Sequence, residues 1–522
     1  MEVKLTAYEL LYRIGQKVDI LQQLNYQKSD IKVILDKIAE LEKEFGDCIK
    51  YLGDDDNKII YNYTKANYGA VLIEIAKHYG DKVHNSLPYS KYKTGDEFLY
   101  DYEMQRLELY RNALTLYDNQ SESQISNAWM DQVRVNLANV YNETGRIIES
   151  LDILESCKNN FGMARVNYAM KLYLLSSYIL DKEIQKELLM EALFYYETTI
   201  DSYSARKESD PIPDDIYKSI CATKRMISER LNLEYRDIDT VRDLSEDIDS
   251  SFGIQVNKYK KWCGEQRLIL SARNIYTGAS VIDDIHLPNM GVGYFAHNQS
   301  LSYYSWYNIL KQEYNQARYF LYQAHSLVYD DVHESQEDIL LVNTLDYPEI
   351  GYRTELLKSS LKTAYGVLDK IGLLCNDFVC GKNMPAGDIT FTKWFKDIEC
   401  KIRINDKFTP LYWVAKDFFS CGSFNRLRLL RNVIEHRYLR VVRSTTIPLK
   451  KELSDRTKME YTVTFSELKG QVFETLKLIR SLMFYIVFAF NESYLETVLD
   501  SRRNNKVFIP LTISYYDDEW KN

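Results

Sequence analysis

Residues that interrupt helices are scarce along this chain, and their scarcity limits the folds open to it. Only 20 glycines and 9 prolines are spread over 522 residues. In a helix interior Gly costs about 1 kcal/mol and Pro about 3 kcal/mol relative to Ala, so long stretches without them favour helices. The sequence therefore predicts an all-α protein, and its length predicts more than one domain.

Composition and the apolar runs indicate a cytoplasmic protein. The contents of 45% hydrophobic and 27% charged residues are typical of a soluble globular chain. Met1–Leu5 carries charge at once and lacks the apolar core of a signal peptide. The most apolar run, Leu482–Phe490, is far shorter than the ~20 residues that span a bilayer. It predicts a helix buried in a bundle core or at a subunit interface, and we expect no membrane segment.

Metal and nucleotide-cofactor signatures are not found in the sequence. The eight cysteines include no Cys-x-x-Cys pair, and the closest two, Cys375 and Cys380, have no histidines nearby. This is not the spacing of a zinc site. There is also no glycine-rich phosphate loop. We therefore expect reduced thiols, no metal and no cofactor.

The first half of the chain is predicted to consist of paired amphipathic helices. Residues 136–145 resemble the first helix and turn of a tetratricopeptide repeat, with Ala138 and Tyr141 at two of its positions and small Ser150 twelve residues after Ala138. Stacked pairs leave a concave groove that is usually a binding surface, although an irregular array that binds nothing is the alternative. We predict a repeat domain over 1–255. Further pairs are expected at Tyr63–Tyr79 with Phe98–Tyr117, and at Ala164–Leu180 with Glu183–Ile200.

A second group of helices is predicted over 256–522. About five helices with long connections favour a helical bundle with extended loops. The predicted helices are Ser305–Tyr329, Thr354–Asn376, Phe408–Phe419, Asn425–Arg443 and Phe465–Leu499.

The predicted helix Asn425–Arg443 is strongly basic and contains the best candidate for catalysis. Residues 426–443 hold six Arg and one Glu, a net charge of +5 in a chain of formal charge −9. Arginine without lysine favours phosphate oxygens, which a guanidinium can bind with two parallel hydrogen bonds. His436 can exchange a proton near neutral pH, and Asn432 lies one helical turn before it, where its amide can orient the imidazole.

Arg431 and His436 are a minimal pair for cleaving a phosphodiester, but their side chains point in different directions from the same predicted helix. Five residues correspond to about 140° around an ideal helix. Either Arg431 lies where the helix begins, or a second copy of the chain completes the site. The non-catalytic alternative is a surface ion pair between Arg431 and Glu435, with His436 as a structural histidine.

The C-terminal half resembles the HEPN superfamily, whose Arg-polar-x-x-x-His signature matches Arg431, Asn432 and His436. Trp262-Cys263, Asp283–Pro288 and the Lys311–Arg318 segment are similar to a bacterial branch that joins tetratricopeptide-like repeats to a HEPN domain. In those segments His286 and Arg318 are expected to be structural contacts rather than catalysts.

The resemblance implies a metal-independent endoribonuclease that cleaves RNA by 2′-hydroxyl attack. It also implies a homodimer through the HEPN domain that acts as a toxin or anti-phage effector. Arg428, Arg437 and Arg440 are expected to bind the RNA backbone and Tyr438 to stack on a base, unless Tyr438 only packs. A protein, peptide or nucleic-acid trigger at the repeat groove is expected to control the enzyme. The alternative is a non-catalytic scaffold whose HEPN bundle serves dimerisation or RNA binding.

Overall fold

The computed structural model describes most of the chain, and the described part is almost entirely helical. The described residues are 6–84, 86, 88–92, 95–120, 122–204, 214–234, 257–278, 282–289, 299–327, 332–343, 348–380, 385, 387, 389–393, 406–418, 423–443, 459–505, 507 and 509. Among them, one pair of short strands accompanies the helices. The predicted all-α fold is confirmed.

Most α-helices of the first half are long, and they are closely spaced in sequence. They are α1 (Ala7–Tyr26), α2 (Ile31–Cys48), α3 (Asp55–Tyr79), α4 (Asp81–His84), α5 (Gly95–Asp118), α6 (Asn127–Glu143), α7 (Ile147–Glu155), α8 (Gly162–Tyr178), α9 (Lys182–Ser204) and α10 (Asp214–Glu234).

The second half contains the remaining helices and both strands. They are α11 (Lys258–Glu265), α12 (Ala272–Tyr276), α13 (Gln299–Ser326), α14 (Tyr352–Cys380), α15 (Thr409–Asp417), α16 (Ser423–His436), β1 (Tyr438–Val442), β2 (Glu460–Thr464) and α17 (Phe465–Arg503).

The chain forms two compact units. The first, unit 1, comprises Met1–Leu172 and Met190–Glu229, and the second, unit 2, comprises Tyr173–Leu189 and Arg230–Asn522. The predicted domain boundary after residue 255 lies outside the described residues and stays a prediction.

In unit 1, α6 and α7 pack as a close helical pair. Gly145 begins the turn between them with φ +74°, a left-handed conformation that glycine adopts without steric cost. The Ser150 hydroxyl donates a 2.7 Å hydrogen bond to the Ala138 carbonyl oxygen, and both residues are buried. A small side chain at each position permits this close approach. The N-terminal helical region is therefore consistent with a repeat array.

In unit 2, α13, α14 and α17 pack together around a shared core. Every residue of Leu482–Phe490 on α17 is buried within the chain. Tyr307 of α13 donates to the Met483 carbonyl oxygen at 3.4 Å, and Phe378 of α14 stacks on Phe490. The bundle-core interpretation of this run is confirmed. Its alternative, a subunit interface, is wrong because the chain itself covers the run.

A buried ion pair fixes the segment that precedes α13. Arg318 of α13 donates to both carboxylate oxygens of Asp283 at 2.9 and 2.8 Å and to the Leu268 carbonyl oxygen at 2.8 Å. The Leu270 N–H donates to the same carboxylate at 2.7 Å. The predicted structural role of Arg318 is confirmed.

A second buried ion pair connects α12 to α9 within unit 2. Arg273 donates to both oxygens of Glu187 at 2.9 and 3.0 Å, and the Tyr276 hydroxyl donates to Glu187 at 2.6 Å. All three residues are buried. Glu187 is therefore the counter-ion on which this part of unit 2 depends.

The predicted helix Asn425–Arg443 is too long. The observed helix α16 ends at His436, and Tyr438–Val442 forms strand β1, which pairs in parallel with β2. Tyr and Val favour a pleated strand, and the tertiary pairing with β2 prevails over the helical periodicity. Strand β2 leads directly into α17, where Thr464 and Glu467 form a capping box.

Three further features concern membrane segments, metal ligands and cysteines. Among the described residues, no helix is both long enough and apolar enough to cross a membrane. Nor do three or more His, Cys, Asp or Glu side chains in that part of the chain group as metal ligands. Free thiols are carried by Cys48, Cys157, Cys221, Cys263 and Cys375.

Candidate active site

Helix α16 presents one polar face and one buried face. Leu427, Leu430 and Val433 are buried and attach the helix to unit 2. Asn432 and His436, one turn apart, are both exposed. The sequence pattern therefore places the candidate catalytic side chains at the surface, with the imidazole at the last residue of the helix.

Arg431 lies well inside α16, which begins at Ser423. The first of the two sequence alternatives, an arginine at the start of the helix, is therefore wrong. Within a regular helix Arg431 and His436 differ by about 140° in direction. One copy of α16 thus does not direct both side chains at the same phosphate.

Arg431 is held against α14. Its guanidinium carbon lies 5.3 Å from the centre of the Tyr365 ring, and its Nη1 donates to Asn432 Oδ1 at 3.1 Å. Burial and the nearby Asp369 raise the pKa of Tyr365 to about 12, although Arg431 and Arg428 act in the opposite direction. The phenol is therefore neutral at physiological pH, and its ring offers a face to the guanidinium.

Glu435 and Asn432 of α16 have partners other than those predicted from the sequence. Glu435 pairs with Lys362 of α14 at 3.4 Å, and no ion pair joins it to Arg431 among the described residues. The surface ion pair expected between Arg431 and Glu435 is therefore not formed. Asn432 binds Arg431 rather than His436, so the predicted amide–imidazole contact is absent from the described hydrogen bonds. The His436 ring has no hydrogen bond or ion pair within the described part of the chain.

A cavity of about 500 Å³ lies between the first turns of α14 and strand β1. Its lining is mixed but rich in basic side chains. The lining residues are Pro348, Glu355, Lys358, Ser359, Lys362, Ile434, Arg437, Tyr438, Leu439, Arg440 and Glu460. The cavity therefore begins where α16 ends, directly after His436 in sequence.

Comparison with known proteins identifies this part of the chain. Residues 295–493 match the family model described as LA2681-like HEPN. Unit 2 therefore contains a HEPN domain. No curated protein and no solved structure matches the chain. HEPN domains are generally RNase-type nucleases, and they typically dimerise and bind RNA.

The HEPN domain places the four predicted RNA-binding residues in two groups. Arg428 is exposed on α16 with Asn432, whereas Arg437, Tyr438 and Arg440 follow the helix and line the cavity. Arg440 does not continue the α16 face, because it lies on β1 with its Nη1 3.8 Å from Glu460. Tyr438 is 70% exposed, so the interpretation that it only packs is wrong.

Sequence reasoning missed the lysines that the HEPN domain adds to this surface. Lys358 and Lys362 lie one turn apart on α14 and both line the cavity. Their i, i+4 spacing within the predicted helix Thr354–Asn376 was the available signal. This spacing places the two lysines on one face of α14, but it does not reveal that this face lies opposite Arg437.

Proposed function

We propose that the HEPN domain is a metal-independent endoribonuclease whose site contains Arg431, Asn432 and His436. The observation that carries the proposal is the environment of His436. The imidazole is exposed at the end of α16, in the most basic part of the sequence, and no described residue occupies its nitrogens. An imidazole whose nitrogens are not occupied by the protein can reach a substrate hydroxyl and act in general acid–base catalysis.

The proposed reaction uses the RNA's own 2′-hydroxyl as nucleophile. The imidazole of His436 takes the hydroxyl proton as the O2′–P bond forms. It returns a proton to the 5′-oxygen as the P–O5′ bond breaks. Arg431 stabilises the charge on the pentacoordinate phosphate, and Asn432 positions the guanidinium through the 3.1 Å hydrogen bond. The products carry 2′,3′-cyclic phosphate and 5′-hydroxyl ends.

The proposed active form is a homodimer through the HEPN domain. Since Arg431 and His436 of one chain diverge by about 140°, each site combines Arg431 from one protomer with His436 from the other. The family's general tendency to dimerise supports this arrangement. A protein that is only monomeric by light scattering at micromolar concentration, yet cleaves RNA fully, would contradict it.

The catalytic proposal is tested with purified full-length protein and end-labelled RNA in EDTA. The His436→Ala variant should lose about 10²- to 10⁴-fold in rate, the usual contribution of general acid–base catalysis. His286→Ala is the matched control, because His286 is also exposed and lies outside the motif. Metal-dependent cleavage, or equal rates for the two variants, would contradict the mechanism. If wild type and both variants bind RNA equally and none of them cleaves it, the non-catalytic scaffold is favoured.

We further propose that the enzyme is a toxin or anti-phage effector controlled through the repeat region. Such control requires a trigger that binds the active arrangement more tightly than the idle one. Unit 1 offers a polar network of two half-buried asparagines and a buried tyrosine, in which Tyr110 and Asn136 both donate to Asn67 Oδ1 at 2.5 and 3.1 Å. A protein, peptide or nucleic-acid trigger would find hydrogen-bonding groups there.

The cellular proposal is tested by expressing wild type, His436→Ala and Asn136→Ala in bacteria with and without phage. Growth arrest and cleaved RNA ends in wild type alone would support it. Asn136→Ala should retain cleavage by the purified enzyme but lose the response to infection. Identical behaviour of wild type and His436→Ala would contradict a role for RNA cleavage in the cell.

A further inference from the structure

We propose that the cavity between α14 and β1 binds one nucleoside monophosphate unit of an RNA chain, next to the scissile phosphate at His436. This inference rests on the proposed function and adds a substrate subsite to it. It assigns Lys358, Lys362 and Ser359 of α14 to RNA binding together with Arg437 and Tyr438.

The charge of the cavity suits a phosphate. Lys358, Lys362, Arg437 and Arg440 line it against two carboxylates, Glu355 and Glu460, so four cationic groups minus two anionic groups leave a net charge of +2. The cations come from α14, from the residue after α16 and from β1, and therefore converge from different elements. Convergence from separate elements distinguishes this site from a basic stripe along one helix.

The lysines can release their present partners. Lys362 is 46% exposed and its Nζ lies 3.4 Å from Glu435, while Lys358 pairs at 2.7 Å with Glu355, which is 59% exposed. The other member of each pair is partly buried, with Lys358 22% and Glu435 31% exposed, and ion pairs at the protein surface contribute about 0–1 kcal/mol. A phosphate can therefore replace either carboxylate at little cost.

The remaining lining suits a nucleoside. The Tyr438 side chain is 70% exposed at the cavity and carries a flat π-face on which any base can stack. The Ser359 hydroxyl can donate or accept a hydrogen bond, and Ile434 and Leu439 provide apolar contact. The volume of about 500 Å³ lies within the usual range of ligand pockets.

The position of the cavity connects it to the candidate active site. Ile434 and Arg437 line the cavity, and His436 lies between them in sequence on the exposed side. Lys362 contacts Glu435, the residue beside His436. An RNA strand whose scissile phosphate lies at His436 would thus place a neighbouring nucleotide in the cavity.

The test measures RNA binding separately from cleavage. Full-length His436→Ala protein binds a fluorescein-labelled single-stranded tetraribonucleotide without consuming it. Adding Lys358→Gln or Lys362→Gln should weaken binding about tenfold each, since a charge-assisted phosphate contact contributes about one such factor. Each change should also reduce the slope of log affinity against log salt by about 0.7. Lys370→Gln is the matched control, because Lys370 lies on the same helix, pairs with Glu313 and does not line the cavity.

Base stacking is tested by photocrosslinking the same RNA carrying 5-iodouridine. Crosslinks should map to Tyr438, persist in Tyr438→Phe and disappear in Tyr438→Ala. Unchanged affinity in both lysine variants, or crosslinks confined to other residues, would overturn the proposal.

Competition with AMP and with inorganic phosphate distinguishes the source of the nucleotide. If the lysines govern AMP binding but not RNA binding, the cavity takes a free nucleotide and the RNA subsite is overturned. The proposed function fails separately, when wild type cleaves no RNA or cleaves as fast as His436→Ala. Lysine variants that bind RNA normally, in a protein whose cleavage requires His436, would remove the subsite alone.

Discussion

The guanidinium of Arg431 lies 5.3 Å from the centre of the Tyr365 ring, on the side of α16 that faces α14. A cation over an aromatic face gains about 0.5–2 kcal/mol, so Tyr365 holds the arginine away from the exposed face of His436. The hydrogen bond to Asn432 fixes the same guanidinium from α16 itself. Arg431 is therefore a positioned group rather than a freely moving surface arginine.

We predict that activity depends on the ring of Tyr365. Tyr365→Leu removes the ring face, and small displacements of a catalytic group cost up to ~10²-fold, so kcat should fall about 10- to 100-fold. Tyr365→Phe keeps the ring and should retain most activity. Rates are compared at matched folded fractions, measured by circular dichroism. If both variants keep full activity, Tyr365 does not position Arg431.

The proposed site shared between two protomers predicts complementation between two inactive proteins. Arg431→Ala and His436→Ala should each be inactive alone. Mixed and allowed to exchange subunits, they should recover about a quarter of wild-type activity, because half the dimers are mixed and each mixed dimer has one intact composite site.

The control for complementation is the double variant Arg431→Ala/His436→Ala mixed with either single variant. No composite site in those mixtures is intact, so they should stay inactive. Recovery confined to the first mixture identifies a site built from two chains. If none of the mixtures recovers although subunits exchange, both residues act within one chain.

The basic residues after α16 should contribute unequally to RNA binding. Arg437→Gln should reduce affinity and the salt slope more than Arg440→Gln, because the Arg440 guanidinium already lies 3.8 Å from Glu460. Arg428→Gln should also weaken binding, since Arg428 is exposed on the α16 face with His436. Affinities are measured by fluorescence anisotropy from 50 to 300 mM salt, near the range over which phosphate contacts are usually resolved. Arg13→Gln, which changes an arginine of unit 1 paired with Glu44, serves as the control.

Stability should fall in acid through the buried pair of Asp283 and Arg318. Burial alone would raise the pKa of Asp283, but Arg318 and the Leu270 N–H hold it below its ordinary value of 3.8. A carboxyl whose folded pKa is depressed stabilises the protein above its unfolded pKa, and that stability is lost as pH falls through the folded pKa. We therefore expect a loss of stability that begins near pH 4 and continues below it.

The Asp283→Asn variant tests this assignment. At pH 7 it should lose about 3–5 kcal/mol, because the buried guanidinium of Arg318 keeps no counter-ion. Its acid sensitivity below pH 4 should be smaller than that of wild type. Urea unfolding at pH 7 and at pH 3.5 measures both effects. A variant as stable as wild type at pH 7 would contradict the importance of the pair.

The sequence revealed helices better than it revealed their ends. The long helices α13, α14 and α17 follow from an uninterrupted apolar periodicity, and the buried run Leu482–Phe490 follows from its composition. The end of α16 could not be predicted from the sequence, because Tyr438–Val442 fits both a helical and a strand pattern. Its partner β2 begins only at Glu460, and no local sequence rule relates the two segments.

The candidate site was predictable only in part for the same reason. Arg431, Asn432 and His436 share a short stretch whose spacing can be read directly. Tyr365, Lys358 and Lys362 belong to α14, and only tertiary packing brings them beside α16. Their functional context therefore required the structure.

Glu187, the counter-ion of Arg273, determines whether the HEPN half can be transferred to another protein by recombination. Glu187 belongs to α9, far ahead of the HEPN residues in sequence, yet it closes a buried cluster with Arg273 and Tyr276. A recombination that joined a foreign sequence at residue 256 would carry over the arginine without its carboxylate. The penalty of about 3–5 kcal/mol for an orphaned buried charge is a large share of the ~5–15 kcal/mol that holds a domain folded. The HEPN half is therefore expected to fold stably in another protein only if α9, which supplies Glu187, is transferred with it.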